Sequence, residues 1–175
     1  MKNKAREFAI LNHKNQKYGD RPYSFHLDAV AKIAESYGNI AVVISYLHDV
    51  VEDTNISLSV IDKEFGKFVS DCVHILTDEA GNDRAERKSK TYAKMAKVTG
   101  GLELALVVKA CDRLANIRAC IADGYLEKLA MYKSEFPAFR ESVFREGICD
   151  DVWIELERIN NASNYSSRAE NSCRG

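Results

Sequence analysis

Apolar residues recur at intervals of three and four along most of the chain, which is the spacing of helices that bury one face. Within residues 2–16, for example, Ala5, Phe8 and Ala9 fall on a single face of such a helix. The pattern predicts helices over 2–16, 25–37 and 40–51, from a cap at Ser57 to Phe65, over 68–76, 84–97 and 102–117, one or two over 125–146, and a short one over 152–159.

Two of the predicted helices are apolar on most sides, and we therefore expect them at the centre of the fold. The first covers 40–51, with Gly38 ending the preceding helix and Asn39 as the N-cap. The second covers 102–117, and its run 104–108 would also suit a buried strand. Its length and the lack of alternating partners elsewhere favour a helix. The sequence therefore predicts an all-α, single-domain protein of about eight to ten helices.

One domain is predicted over residues 1–159, whereas the polar, aperiodic residues 160–175 are typical of a disordered tail. The net charge of −1 provides no field that would draw the protein to nucleic acid or to a membrane surface. An anionic ligand must therefore be bound by a local cluster of positive charge. We see neither an apolar run that would span a bilayer nor a secretory signal, and the five scattered cysteines indicate reduced thiols. These features favour a cytoplasmic protein.

The densest group of ionisable residues follows the first apolar helix. His48 and Asp49 are adjacent, and Glu52 and Asp53 come one turn later. Burying so much charge without a compensating cation would cost several kcal/mol per ion, so a bound divalent metal ion is the expected partner. Imidazole and carboxylate together suit manganese, iron or zinc better than calcium. Positions four apart share a helical face, so His48 and Glu52 can point the same way, with Glu52 and Asp53 free to handle a water molecule.

A second polar cluster lies within the other apolar helix. Asp112 needs a partner if it is buried there, and a metal ion is the obvious candidate. Asn116 is one turn further on and could contact a substrate, while His26, at the start of another helix, could supply a second imidazole. The alternatives are a surface ion pair between Asp112 and Arg113, and a capping or solvated role for His26. We expect structural roles for His13 and His74.

These segments resemble the hydrolase domain of the Rel/Spo family, and in particular its small stand-alone, Mesh-type alarmone hydrolases. The most specific match is the string LHDVVEDT at 47–54, and the matches run in family order across residues 5–159. The matching segments are 22–26, 47–54, 65–66, 76–78, 86–88 and 109–118.

The resemblance implies an all-helical HD fold and a metal-dependent reaction. That reaction is hydrolysis of the 3′-pyrophosphate of guanosine tetra- or pentaphosphate, which releases pyrophosphate and GDP or GTP. Glu52 and Asp53 would position and activate the attacking water, and Asn116 would contact the sugar. Arg87 and Lys88 would lie near the phosphates. A single manganese ion would be held by His26, His48, Asp49 and Asp112.

The chain departs from the family pattern near the expected base-binding position. Where the family has Arg-Lys against the guanine base, this chain has Lys17 and Tyr18, and Leu27 replaces the usual proline after the metal-binding histidine. Tyr18 can still stack on a base, so we expect both residues to bind the substrate. The identity of the base is left open, and an adenosine alarmone is an alternative to a guanosine one. Two further alternatives are a phosphatase acting on another nucleotide, such as the 2′-phosphate of NADPH, and a catalytically silent, antitoxin-like nucleotide-binding protein.

Overall fold

The structure, a computed structural model, describes residues 1–162 of the chain. Most of these residues lie in helices. The α-helices are α1 (Lys2–His13), α2 (Ser24–Ala34), α3 (Asn39–Leu47), α4 (Val50–Asp53), α5 (Leu58–Phe65), α6 (Lys67–Leu76), α7 (Arg84–Met95), α8 (Glu103–Asp123), α9 (Leu126–Val143) and α10 (Asp150–Asn161). Short 3-10 turns cover Glu35–Tyr37 and Gly100–Leu102, and β1 (Lys17–Tyr18) and β2 (Arg21–Pro22) form a small antiparallel hairpin. The prediction of an all-α fold is confirmed.

Helix α8 lies at the centre of this arrangement and contacts α2, α3, α6, α9 and α10. Its residues are buried on nearly every side, as expected for a helix whose apolar positions surround its axis. The run 104–108 lies inside α8, so the helical interpretation of that run is confirmed. The helix ends at Gly124, whose φ of 72° is a left-handed conformation that glycine adopts without strain.

The other apolar helix is interrupted where the sequence predicts it to continue. Helix α3 ends just before His48 and Asp49, which form a turn, and α4 begins directly after them. The prediction of one helix over 40–51 is therefore wrong, and so is the premise that His48 and Glu52 share one helical face. In an unbroken helix neighbouring side chains point about 100° apart. The turn instead brings the His48 and Asp49 side chains to the same point, with His48 Nε2 3.0 Å from Asp49 Oδ2.

Predictions about two helix N-caps and about the number of helices over 125–146 have different outcomes. Gly38, with φ of 98°, occupies the N-cap position of α3, so Asn39 is the first helical residue instead of the predicted cap. Ser57 does occupy the N-cap position of α5, although its side chain makes no cap hydrogen bond. The sequence predicts one or two helices over 125–146, and the structure has one, α9, which continues through Pro137.

The last described helix, α10, continues through Asn161, two residues past the predicted end of the domain at 159. The predicted disorder of the tail beyond residue 162 lies outside the described residues, as does Cys173. Among the described residues no helix combines the length and the apolar character needed to cross a membrane. The described cysteines, Cys72, Cys111, Cys120 and Cys149, are buried free thiols.

Candidate metal centre

Two buried imidazoles face each other where α2, α8 and the end of α3 meet. His26 is the third residue of α2 and is 3% exposed, and His48 follows α3 and is 1% exposed. Their Nε2 atoms are 3.3 Å apart. His48 Nδ1 lies 2.7 Å from the carbonyl oxygen of Ser45. A carbonyl can only accept, so Nδ1 carries a hydrogen, and Nε2 is the ring nitrogen that faces the centre.

Two carboxylates complete the group around these nitrogens. Asp49 Oδ2 lies 3.0 Å from His48 Nε2 and 3.7 Å from His26 Nε2. Asp112 Oδ1, from the middle of α8, lies 3.3 Å from His26 Nε2 and 3.7 Å from His48 Nε2. We call His26, His48, Asp49 and Asp112 the ligand cradle. Its tightest members are His26, His48 and Asp49, whose candidate ligand atoms all lie within 4.8 Å of one another.

The donor set of the cradle fits a divalent transition-metal ion. An ion with metal–ligand bonds of about 2.0–2.2 Å separates neighbouring ligand atoms by roughly 3.0–3.5 Å, and the spacings in the cradle are close to this. Two imidazoles with two carboxylates suit zinc, manganese or iron better than calcium, which takes oxygen ligands. His26, His48 and Asp49 are therefore a possible metal site.

The electrostatics of the cradle favour a positive charge at its centre. Burial lowers the pKa of His48, but the Asp49 and Asp112 carboxylates outweigh burial and raise it well above its usual value. Burial raises the pKa of Asp112, but Lys109 and the two imidazoles outweigh burial and hold it well below its usual range. Both carboxylates of the cradle therefore stay charged, as metal ligands must be.

Each carboxylate of the cradle also accepts hydrogen bonds from outside it. The Tyr23 hydroxyl donates to Asp49 Oδ2. Lys109 Nζ lies 3.2 Å from Asp112 Oδ2, and Asn116 Nδ2 donates to Asp112 Oδ1 over 2.6 Å. These contacts orient the ligands before any ion arrives. Asp112 is therefore not part of a surface ion pair with Arg113, which is itself buried and bonds to the Glu135 carboxylate at 3.1 Å.

The cradle opens into a cavity of about 280 Å³. Glu52 and Asp53 line it from α4, and each carboxylate has one oxygen held by a neighbour. Glu52 Oε2 accepts the backbone N–H of Asp78 over 3.1 Å, and Asp53 Oδ2 accepts Gln16 Nε2 over 2.8 Å. Burial, together with the charges of Asp78 and Asp49, raises the pKa of Glu52 above its usual value. The free oxygens are available to bind and deprotonate a water molecule.

Basic side chains from three different helices form another side of the same cavity. We call this set the basic wall; its members are Arg84 and Lys88 of α7, Lys109 and Arg113 of α8, and Lys128 of α9. Lys88 bonds to both Asp78 oxygens, at 2.7 and 2.9 Å. Lys128 Nζ lies 5.2 Å from the centre of the Tyr18 ring. A cavity that combines a possible metal site with several cations is suited to a polyphosphate.

The cavity lining includes some of the predicted substrate-binding residues and leaves out others. Tyr18, Lys88 and Asn116 line it, but Lys17 and Arg87 do not. Lys17 precedes Tyr18 in β1, where successive side chains point to opposite sides, and Lys17 is exposed. Two other histidines, His13 and His74, lie outside the lining, the first buried and the second exposed.

Several cavity residues carry no role in the sequence prediction. They are Tyr23, Arg84, Lys109, Arg113, Lys128 and Tyr132. Tyr23, Lys109 and Arg113 lie inside matched segments, so their nearness to predicted ligands was a usable signal. The remaining residues belong to α7 and α9, and their meeting at one cavity depends on how those helices pack.

Comparison with known proteins places the chain among nucleotide hydrolases. No family model matches the sequence. It is 33% identical over 134 residues to the guanosine-3′,5′-bis(diphosphate) 3′-pyrophosphohydrolase MESH1 of Xenopus tropicalis, which covers 71% of this chain and 73% of that protein. The human protein of the same name is 31% identical over 133 residues, at 70% and 73% coverage. The GTP pyrophosphokinase rsh of Brucella melitensis is 31% identical over 90% of this chain, but the match covers 22% of that longer protein.

Solved structures share the fold at lower sequence identity. A metazoan SpoT orthologue, described as hydrolysing ppGpp and playing a role in starvation responses, superimposes with a TM-score of 0.79. It is 24% identical, and the alignment covers 93% of this chain and 94% of that one. The protein lmo0812 of Listeria monocytogenes has a TM-score of 0.62 at 22% identity, over 78% of this chain and 93% of that one.

Proposed function

The chain belongs to the Mesh-type guanosine-3′,5′-bis(diphosphate) 3′-pyrophosphohydrolases, and on this basis we propose that it hydrolyses the 3′-pyrophosphate of ppGpp and pppGpp. The products are pyrophosphate and GDP or GTP. Residues of the ligand cradle and of the basic wall line one cavity, and Glu52 and Asp53 line it as well. This shared cavity is the observation that carries the proposal. The small nucleotide would place its 3′-diphosphate in that cavity.

The cradle would hold one Mn²⁺ ion through His26, His48, Asp49 and Asp112. In support, each imidazole Nε2 lies 3.0–3.7 Å from one oxygen of each carboxylate, and the two Nε2 atoms are 3.3 Å apart. When bound, the ion would supply Lewis-acid polarisation of a phosphoryl oxygen and would lower the pKa of water. Manganese is the metal that we propose, and other first-row divalent ions suit the same donor set.

The attacking water would be oriented and deprotonated by Glu52 and Asp53. Each of these carboxylates is fixed by one hydrogen bond, from Asp78 N–H and from Gln16 Nε2 respectively, and keeps a second oxygen for the water. General-base assistance of this kind contributes about 10²–10⁴-fold to a reaction rate. The raised pKa of Glu52 brings its basicity closer to neutral pH, where it accepts a proton more readily.

The bond changes in the reaction balance without a further reactant. The water oxygen adds to the phosphorus that is bonded to the ribose 3′-oxygen, and that P–O bond breaks. The 3′-oxygen leaves with a proton as the ribose hydroxyl, and the water oxygen departs in pyrophosphate. Lys88 and Arg84 on α7, with Lys109 and Arg113 on α8, would offset the charge on the diphosphate.

The test is product identification with a panel of nucleotides. Purified protein, Mn²⁺ and ppGpp should release pyrophosphate and GDP in a one-to-one ratio. The adenosine counterpart ppApp, tested in parallel, measures the base preference that Lys17 and Tyr18 leave open. Orthophosphate from NADPH, with intact ppGpp, would instead assign a 2′-phosphatase. Tight binding of ppGpp by the metal-loaded protein without any turnover would assign a silent nucleotide-binding protein.

A further inference from the structure

The Tyr18 side chain makes contacts that a base-stacking residue does not need. Its ring lies parallel to the His26 imidazole, with centroids 4.8 Å apart and an interplanar angle of 11°. Its hydroxyl donates to Asn116 Oδ1 over 2.8 Å, which joins β1 to α8 across 98 positions of sequence. The tyrosine therefore bonds to the elements that hold the metal ligands.

The Tyr18 ring is already in contact with two other side chains. The His26 imidazole stacks on the ring, and Lys128 Nζ lies 5.2 Å from its centroid, a cation–π distance. A nucleotide base that stacked on this ring would have to compete with these contacts. These contacts make Tyr18 a poor base platform.

Asn116 links Tyr18 to the cradle through hydrogen bonds. Its Oδ1 accepts the Tyr18 hydroxyl, and its Nδ2 donates to Asp112 Oδ1 over 2.6 Å and to the Asp112 carbonyl oxygen over 3.0 Å. Both Asp112 oxygens can only accept, so the amide nitrogen faces Asp112 and the amide oxygen faces the Tyr18 hydroxyl, which donates to it. The hydroxyl therefore holds the amide from its other end, and the amide holds the carboxylate oxygen that faces both imidazoles.

We infer that Tyr18 and Asn116 are positioning residues of the metal centre, with Tyr18 acting on Asp112 through the Asn116 amide and on His26 through ring stacking. The inference rests on the proposed function, because it takes the cradle to bind a metal ion. It gives Tyr18, the hairpin residue that departs from the family pattern, a role in orienting the metal ligands. Hydrogen bonds to metal ligands of this kind typically change metal affinity by about 10–100-fold.

The experiment measures the affinity of the metal-free protein for Mn²⁺ by titration calorimetry, for the wild type and for variants of Tyr18. The Tyr18→Phe variant keeps the stacked ring and removes the hydroxyl, so we expect its Kd for Mn²⁺ to rise about 10-fold. Tyr18→Leu also removes the ring and should raise the Kd further. The KM for ppGpp at saturating Mn²⁺ is the second readout, because loss of a base-binding residue would raise the KM without changing the Kd for Mn²⁺.

The double variant Tyr18→Phe with Asn116→Ala tests whether the two residues act through one chain of hydrogen bonds. If they do, the double variant binds Mn²⁺ no more weakly than Asn116→Ala alone, because contacting residues in one network do not add. Tyr125→Phe is the matched control, since Tyr125 is a half-exposed tyrosine that does not line the cavity, and it should bind Mn²⁺ like the wild type. The thermal midpoint of each metal-free variant checks that it is folded.

The outcomes separate this inference from the function on which it rests. Unchanged Mn²⁺ affinity in Tyr18→Leu, with a raised KM for ppGpp, overturns the positioning role and makes Tyr18 a base-binding residue. Additive losses in the double variant overturn the hydrogen-bonded chain. A wild-type protein that binds Mn²⁺ but does not hydrolyse ppGpp contradicts the proposed function and leaves the positioning role measurable. A wild type that binds no Mn²⁺ overturns both.

Discussion

The ligand cradle and the basic wall border the same cavity but are built differently. The cradle consists of short side chains from α2, α8 and the turn after α3, and its two imidazoles are almost completely buried. The wall consists of long basic side chains from α7, α8 and α9, and it includes Lys128, which is exposed. Short buried side chains with several fixed contacts suit a bound ion, while the long basic side chains of the wall, buried at Lys109 and Arg113 and exposed at Lys128, suit the charge of a phosphate chain.

Because the two regions are built differently, we expect substitutions in them to have different effects on metal binding and on ppGpp hydrolysis. A change in the cradle should remove the metal ion and with it the whole reaction. A change in the wall should leave the metal in place and weaken the handling of phosphate, except at Lys109, which bonds to Asp112 of the cradle. Measuring Mn²⁺ affinity and ppGpp kinetics on the same variants therefore separates the two regions.

The largest effect is expected from the cradle itself. His48→Gln keeps much of the side-chain volume but removes a buried ligand nitrogen, so Mn²⁺ affinity should fall by more than about 100-fold, the upper end for residues that only support a ligand. Pyrophosphate release should fall to background. Titration calorimetry and product analysis measure the two quantities. His74→Gln, at an exposed histidine outside the cavity, is the control and should behave as wild type.

A second variant separates proton handling from metal binding. Asp53→Asn keeps the size of the side chain and removes its basicity, so kcat should fall by about 10²–10⁴-fold. Its Mn²⁺ affinity should stay within a few-fold of wild type, because Asp53 lies outside the cradle. Asp62→Asn on α5, an exposed carboxylate away from the cavity, controls for the loss of charge. Full activity of Asp53→Asn would remove this residue from the mechanism.

The basic wall should show the opposite division between metal and substrate. A charge-assisted hydrogen bond contributes about 1.5–3 kcal/mol, so Lys88→Met should lower kcat/KM for ppGpp roughly 10–100-fold. Its Mn²⁺ affinity should not fall, because Lys88 bonds to Asp78 and not to a cradle residue. Lys97→Met, at an exposed lysine beyond α7, is the control. Loss of Mn²⁺ binding in Lys88→Met would contradict the separation of the two regions.

The smallest effect is expected at the exposed end of the wall. Lys128 contacts the Tyr18 and Tyr132 rings at 5.2 and 5.9 Å. Because Lys128 is exposed, its ion pair with a bound phosphate should contribute at most about 1 kcal/mol, so Lys128→Met should raise the KM for ppGpp only about two- to fivefold. Steady-state kinetics at saturating Mn²⁺ measure this change, with Lys133→Met on the same helix as a comparison. A change in KM above about 100-fold would make Lys128 a central phosphate ligand, comparable to a buried charge-assisted contact.

The cradle is the part of the site that the sequence predicts best. Its density of ionisable groups is local, with His48 and Asp49 adjacent and Asp112 inside an apolar helix. The structure brings both together with His26. Their roles as metal ligands stay a prediction until an ion is measured. The all-α fold is readable for a similar reason, because helical periodicity is a local property.

Other features depend on contacts that a linear pattern does not contain. The apolar periodicity runs on through His48 and Asp49, where the structure has a turn, so periodicity alone predicts a continuous helix. Arg84 and Lys128 reach one cavity because α7, α8 and α9 pack around it. In the sequence each of these two is an ordinary basic residue on a helix. Packing of distant helices therefore limits what can be predicted about the wall.

One measurement tests the central claim most directly, that the cradle binds the metal ion on which ppGpp hydrolysis depends. The protein is stripped of metal by a chelator, and pyrophosphate release from ppGpp is followed as Mn²⁺ is added back. Activity should be absent without metal and should return in step with the binding of one Mn²⁺ per chain in the wild type. His48→Gln should stay inactive. Undiminished hydrolysis by the stripped protein, or none after one ion has bound, would contradict the account.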